Sequence, residues 1–528
     1  MKDRRTVLKM MSGAVIGLPV LSGTRLAAQP ATNILKIVTP ELDMLTGAFN
    51  SSGAIYQISA KMFDGLVGYD FNFDMVPELA LKWDVSDGGK SVTFHLRPGV
   101  KWHDGKPFTS ADVQWSAMNV WKKLHPRGRT TFNQLEAVET PDELTAIFRL
   151  RSPTPYMMKA LHAVESQILP RHLYENTDIL TNPHNVAPVG TGPFRFREWK
   201  RGDYVLLDRN EHYWKQGKPT IDRIVIRTIP DNAARASGLE AQELDIGAGM
   251  PVTLSDARRL EKLPFLSIPP RGGEAIANQC WIEFNLQRPR FQDVRVRRAI
   301  AHALNKEFML KAVWFNFGTV STGPISRALS EFYTDKVTTY EFNIEKANRL
   351  LDEAGMPRGK DGIRFSMTHD PLPLQNYFFR AGEYFRQAMA RVGIAVELRT
   401  QDFGTWARRV YTDRDFDTTL SSAHNLTDPS IGVQRFFWSK SIAKGVPFSN
   451  GSGYSNAEVD KLLEAAQTEM DRAKRASLFH RFQQVVAEDL PQIPLIDTQW
   501  FTIQNRRLRN VELSPYGPQD NFSEVVMG

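Results

Sequence analysis

At 528 residues the chain is too long for one ordinary core, and at about 150 residues per domain it divides into three or so lobes. A hydrophobic share of 42% and a charged share of 24% are those of a globular protein and exclude a disordered or fibrous one. The formal charge of +7 is misleading: residues 1 to 28 hold five basic residues and one acidic, which leaves +3 for the remainder, too little for a nucleic-acid-binding footprint.

The first element is MKDRRTVLKMMSGAVIGLPVLSGTRLAAQ, in which basic residues precede an apolar run from Met10 to Leu21 and small residues at Ala27 and Ala28. That is the layout of a secretion signal. The run is too short to span a bilayer, and no later segment supplies roughly 18 uncharged apolar residues, so the processed protein is expected to be soluble. Arg4-Arg5-Thr6-Val7-Leu8-Lys9 resembles the twin-arginine export motif, with Val7 where Phe is usual. Cleavage is expected near Ala28, where Leu26 departs from a strict Ala-x-Ala site. The single cysteine, Cys280, excludes an intramolecular disulfide, and no cysteine follows the apolar run to accept a lipid. A protein free in the periplasm is expected.

An apolar run from Leu35 to Pro40 predicts a strand, and MFDGLVGYD (Met62 to Asp70) follows a predicted helix. LALKWDVSDGGKSVTFHLRPGVKW alternates around Gly and Asp, the pattern of a β-meander: Val92 to Leu96 a strand, Arg97-Pro98-Gly99 a turn, Val100 to Trp102 a short strand, Asp104-Gly105 a second turn. Thr109-Ser110-Ala111-Asp112 has the spacing of a capping box and predicts a helix through Trp121. Residues 191 to 230 are β-rich, and Glu243 to Gly247 is strand-like. Beyond this, long helices alternate with strands. Asp293 caps VRVRRAIAHALN; Asn343 caps IEKANRLLDEAG, whose Ala347, Leu350, Leu351 and Ala354 form one apolar stripe ended by Gly355 and Pro357. A helix from Leu374 to Arg391, Gly393 and a strand from Ile394 to Thr400 make an αβ unit of an open sheet. Ser455 or Asn456 caps a helical pair ending before Pro491, and PLIDTQWFTI (Pro494 to Ile503) reads as one strand. The fold class is α/β.

Enzyme motifs fail one by one. Gly88-Gly89-Lys90-Ser91 lacks the first Gly of a phosphate loop and precedes a strand; Gly190-Thr191-Gly192 starts a dinucleotide fingerprint that Pro193 and Arg195 break. There is no His-Glu-x-x-His and no Gly-x-Ser-x-Gly. The 11 His are scattered, and His162 with His172 lacks zinc-ligand spacing. Arg295, Arg297 and Arg298 read as a solvated helix face. His103 beside Asp104 has the composition of an acid-base pair, but its place after a short strand assigns it to a surface turn. No cofactor is implied.

The order of motifs carries more than any one of them. GLVGYDFNFDMVPELALKWDVSDGGKSVTFHLRPGVKWHDGKPFTSADV, then Gly190-Thr-Gly-Pro-Phe194, RNEHYW, ELDIG, FNLQRPRFQDVRVRRAIAHALN and LLDEAG together resemble the large extracytoplasmic solute-binding proteins of ABC transporters. This is the dipeptide, oligopeptide and nickel-complex family (family 5), which also includes sugar binders. The resemblance implies a periplasmic binding protein-like clamp of two lobes closing about a hinge, with an additional β-rich domain. It places lobe I at 29–70, 187–275 and 495–528, the accessory domain at 71–186 and lobe II at 276–494. It makes the Trp-His-Asp-Gly turn architectural and implies a receptor, not an enzyme, expected to be a monomer and to deliver its solute to inner-membrane permease subunits.

Carried onto this chain, the family's ligand-contacting segments are Ser51-Ser52-Gly53, where extended backbone lies against a peptide, and Ser421 to Pro429, with Ser422, Ala423, His424, Asn425 and Asp428. Peptide binders of the family hold the ligand's amine with an Asp three residues before the Asp/Glu-Pro pair. Here that position is Asn425, which puts free-amine peptides in question and leaves Asp428 as the other acid. His424, Phe437 and Trp438 serve a sugar, an opine-like conjugate, a modified peptide or a metal chelate equally well. A secreted hydrolase and a chaperone-like binder of unfolded segments stay open as alternatives.

Overall fold

A computed structural model describes residues 33–528; the export signal read at residues 1 to 28 lies outside the described residues. Three sheets organise the chain. The first runs, in spatial order, Leu266–Ser267, Ile503–Asn505, Ile246–Gly247, Ile34–Thr39, Arg223–Thr228, Tyr204–Arg209 and Phe194–Lys200, with Ile34–Thr39 parallel to Arg223–Thr228. The second runs Gly318–Val320, Gln492–Thr498, Asn278–Phe284, Thr418–His424, Phe365–Pro371 and Ile394–Leu398. A four-stranded antiparallel meander, Ala80–Ser86, Ser91–Leu96, Thr145–Leu150 and Leu135–Asp142, stands beside the first. One apolar core joins the first sheet to the meander through Leu35, Phe63, Phe94, Trp121 and Phe148. Another fills the second lobe around Cys280, Ile282, Trp314, Phe385 and Trp406.

Local chemistry sets the helix starts. Asp293, Asn343 and Asn456 each accept a hydrogen bond from a first-turn N–H, which satisfies a donor the helix itself leaves free. The Thr109–Asp112 capping box is present in both directions and opens Ser110–Ser116, which passes into a π-helical turn over Ala117–Trp121. The αβ unit forms as Asn376–Arg391, Gly393 at φ +79° and Ile394–Leu398, the left-handed φ being one that glycine adopts without penalty.

One expectation is extended and another changes. His103 and Asp104 do lie at a turn, closed by the Gly105 N–H on the Trp102 carbonyl with Asp104 exposed, but the turn is also tied to a neighbouring segment. The Gly190 N–H donates to His103 Nδ1 (3.1 Å), Nε2 donates to the Gly192 carbonyl (3.0 Å), and the His103 N–H donates to the Gly190 carbonyl (2.9 Å). One ring nitrogen accepts and the other donates, so the imidazole is neutral; burial lowers its pKa to about 4, outweighing the Gly192 carbonyl. Asp104 meets His172 at 2.6 Å. The pair is a latch binding the meander region to the Gly190-Thr-Gly segment. A Cβ on Gly190 would lie 1.7 Å from the Met62 carbonyl oxygen, which is why that motif is glycine-rich.

The change is at PLIDTQWFTI, which is two strands. Gln492–Thr498 belongs to the second sheet throughout, past the limit of 494 drawn from sequence, and Ile503–Asn505 to the first. Residues 499 to 502 cross between the sheets. The other crossing, residues 268 to 277, joins Leu266–Ser267 to Asn278–Phe284. The two passages pack together: a Cβ on Gly273 would stand 2.5 Å from the Trp500 carbonyl oxygen. Arg472 bonds Asp74 at 2.8 Å and Glu331 at 3.0 Å, and nearer the crossing the Thr427 hydroxyl donates to the Lys159 carbonyl at 2.7 Å, so that both join the second lobe to the accessory region.

Candidate functional site

A cavity of about 90 Å³ lies between the lobes, beside the double crossing. Tyr56, on the helix Gly53–Met62, and the Arg127–Glu165 pair line it from one side; Ala275, Ile276 and Trp500 from the crossing; His424, Leu426 and Thr427 from the second lobe. It is therefore walled by segments from the whole length of the chain. A larger cavity, about 280 Å³, is lined by Leu304, Phe342, Phe437 and Leu490 and lies inside the second lobe alone. Motion of one lobe against the other does not open or close it, so the smaller cavity is the candidate site.

The polar wall is ordered. Arg127 Nε donates to Glu165 Oε2 at 2.9 Å, and Nη2 donates to Glu165 Oε1 and, at 3.1 Å, to the Tyr56 hydroxyl. Tyr56 donates in turn to the Asn50 carbonyl at 2.5 Å. Burial alone would raise the Glu165 carboxyl, but the Arg127 guanidinium and His125 hold it below the usual carboxylate range, as an opposite charge within hydrogen-bond reach does. Burial, reinforced by Arg127 and Arg435, lowers His424 to about 4, so it is neutral at pH 7. Its ring meets Trp500 edge to face, 5.5 Å between centroids. Aromatic walls supply contact area with few torsions to freeze. Among the described residues no group of three or more His, Cys, Asp or Glu could hold a metal ion.

Of the residues expected from sequence, Ser51, Gly53 and His424 line the cavity. Ser52 is the exposed N-cap of Gly53–Met62. Ser422 is half-buried and Ala423 buried within the strand Thr418–His424. Asn425 is buried, with Oδ1 accepting from the Ser326 N–H at 2.6 Å; its amide is used inside the second lobe. Asp428 is wholly buried and does not line the cavity: it takes Arg475 bidentately at 2.6 and 2.8 Å and accepts from the Ser430 N–H at 2.9 Å. Trp438 does not line the cavity either; its indole N–H donates to Glu464 at 3.0 Å and Lys440 covers its ring. Sequence reading missed Tyr56, Arg127, Glu165 and Trp500. No spacing rule connects them, because only the tertiary fold brings them together.

The family model described as bacterial extracellular solute-binding proteins, family 5 Middle, matches residues 74–445. The glutathione-binding protein GsiB of Pectobacterium atrosepticum is 28% identical over 476 residues, covering 88% of this chain and 89% of that protein. The dipeptide-binding protein of Escherichia coli is 25% identical over 99% of each chain. Among solved structures, the periplasmic binding protein DppA of Helicobacter pylori, in complex with the peptide STSA, matches with a TM-score of 0.76 at 25% identity, covering 94% of this chain and 98% of that one. The fold is thus the two-lobed clamp of the periplasmic binding proteins, with an additional β-rich domain.

Proposed function

This chain belongs to family 5 of the bacterial extracellular solute-binding proteins, and from that premise we propose that it is the periplasmic receptor of an ABC importer, capturing a peptide-like solute and delivering it to the membrane permease. The observation that carries the reading is the interlobe cavity, whose walls come from both lobes and from the crossing between them. A solute held there touches both lobes at once only when they are together, so it binds the closed arrangement better and shifts the population toward it. The closed shape is then what a permease recognises. A cavity of about 90 Å³, small beside the roughly 300–1,000 Å³ of usual small-molecule sites, weighs against an extended oligopeptide.

No covalent step is needed for this role. Arg127, Glu165 and Tyr56 are already bonded to one another, and Glu165, the acid in electrostatic reach of His424, is held by Arg127 rather than set to orient the imidazole as a base. The relatives named above bind glutathione and dipeptides, which supports the peptide-like class here. The receptor is read as exported by the twin-arginine signal and acting as a monomer; among the described residues no helix is long and apolar enough to cross a membrane. The test is mass spectrometry of solute that co-purifies with protein taken from its own periplasm, followed by melting with the recovered solute added back. The solute should return intact and raise the Tm by mass action. Conversion to products over hours at stoichiometric protein would overturn the receptor reading.

A further inference from the structure

The charges that wall the interlobe cavity cancel. Arg127 and Glu165 are its charged lining side chains among the described residues, and they hold each other; His424 is neutral. The Tyr56 hydroxyl is engaged with Asn50 and Arg127, and the Thr427 hydroxyl with Lys159.

Gln519 and His424, which line the same cavity, are not engaged. Gln519 ends the turn Gly517–Gln519, which Lys61 Nζ fastens to the helix Gly53–Met62 through the Pro518 carbonyl at 2.7 Å. It is 5% exposed, and its Nε2 stands 3.5 Å from where a Cβ on Gly53, another lining residue, would be. Among the described residues its carboxamide has no hydrogen-bond partner, yet neither polar atom is sealed in by packing. His424 ends the strand Thr418–His424 of the second sheet. Its ring nitrogens likewise have no partner among the described residues and are not sealed. The carboxamide travels with the first lobe and the imidazole with the second.

A polar side chain taken out of water without a partner is unfavourable. The carboxamide offers a donor and an acceptor, and the neutral imidazole offers one of each. An amide group, with its own N–H and C=O, complements both. A charged terminus does not: it would meet a wall of no net charge, because Glu165 is spent on Arg127, and would lose its hydration without gaining an ion pair.

Resting on the receptor reading, we propose that Gln519 and His424 read an amide of the solute from opposite lobes, and that the solute class is uncharged: a short peptide with both ends capped or closed into a ring. Both bonds form together only when the lobes meet, so the amide itself favours closure. A solute without one leaves two buried groups unpaired in the closed clamp.

The test is calorimetry with cyclo-dialanine, N-acetylalanine methylamide and zwitterionic dialanine. Wild type should bind the first two at least about tenfold more tightly than dialanine. Gln519→Met, which keeps the length of the side chain, and His424→Phe, which keeps a ring against Trp500, should each weaken the uncharged probes by about tenfold. Gln519→Glu sets a free carboxylate in the cavity and should reverse the order in favour of dialanine. Without solute, Gln519→Met should melt at or above wild type, since the carboxamide has no bond to lose; a lower Tm would mean that the fold already satisfies it, and would overturn the proposal. Dialanine bound by wild type as tightly as the uncharged probes overturns the proposal and leaves the receptor reading standing. So does undiminished binding of the uncharged probes by both Gln519→Met and His424→Phe. If wild type binds none of the three, the short-peptide receptor reading fails, and this proposal with it.

Discussion

Asp428→Asn separates two roles that sequence reading could not. The carboxylate is wholly buried and meets Arg475 at 2.6 and 2.8 Å, with the Arg475 side chain 5% exposed. Removing one partner of such a pair strands the other and costs about 3–5 kcal/mol. Arg475 would keep the Ala466 carbonyl at 2.7 Å and the Ser430 hydroxyl at 3.0 Å, which places the loss near the lower figure. Capping adds little, because an Asn side chain also accepts from the Ser430 N–H, and Asn and Asp are near-equal N-caps. About 3 kcal/mol in a lobe of this size corresponds to a Tm drop of roughly 6–12 °C, read by differential scanning calorimetry. The double variant Asp428→Asn/Arg475→Met should recover part of the loss, because it removes the stranded charge. Solute affinity, measured below the transition, should stay within a few-fold of wild type. A Tm shift under about 2 °C accompanied by loss of binding would refute this reasoning and return Asp428 to the solute.

Replacing Arg4 and Arg5 with Lys should strand precursor in the cytoplasm, and unchanged periplasmic yield by immunoblot of cell fractions would count against the twin-arginine route. Glu283 is fully buried, and burial pushes its carboxyl to about 7 against the Trp281 indole and Arg414. A folded-state pKa above the unfolded one contributes stability that is complete below about pH 4.5 and is lost as pH rises through about 7. Glu283→Gln should therefore gain in Tm relative to wild type between pH 4.5 and pH 8; a difference that is flat or falls across that window would show the carboxyl ionised in the fold.

The parts of the fold written in short stretches of sequence were readable there. Asp293, Asn343, Asn456 and the Thr109–Asp112 box act within one helical turn, so their signal needs no knowledge of the rest of the chain. The Pro494–Ile503 stretch misled because its β pattern continues unbroken while the chain changes sheets at 499 to 502; which sheet a strand joins is decided by partners hundreds of residues away. The same reason hid Arg127 and Glu165, each an ordinary charged residue until the fold sets them against Tyr56. Asp428 and Trp438 show the opposite case. A motif fixes where a residue stands in the chain, but not that Arg475 or Glu464 has already taken its polar atoms.

Trp500 sits within one of the two chain passages on which the lobes turn, and it also walls the cavity. In a rigid rotation, displacement grows with distance from the axis. The surface that Trp500 and Ile276 offer a solute is therefore nearly the same whether the jaws are apart or together, whereas the bond of Arg472 with Asp74, which lines no part of that cavity, is made at the rim and exists only at the end of the swing. A solute can thus land on an almost stationary ledge and be weighed there before the far rim commits. The bulk it leaves standing above that ledge sets how far the rim can travel. Size and seal become one geometrical variable: a solute too tall for the ledge fails by leaving the rim ajar, even where its contacts near the axis are as good as those of the right one.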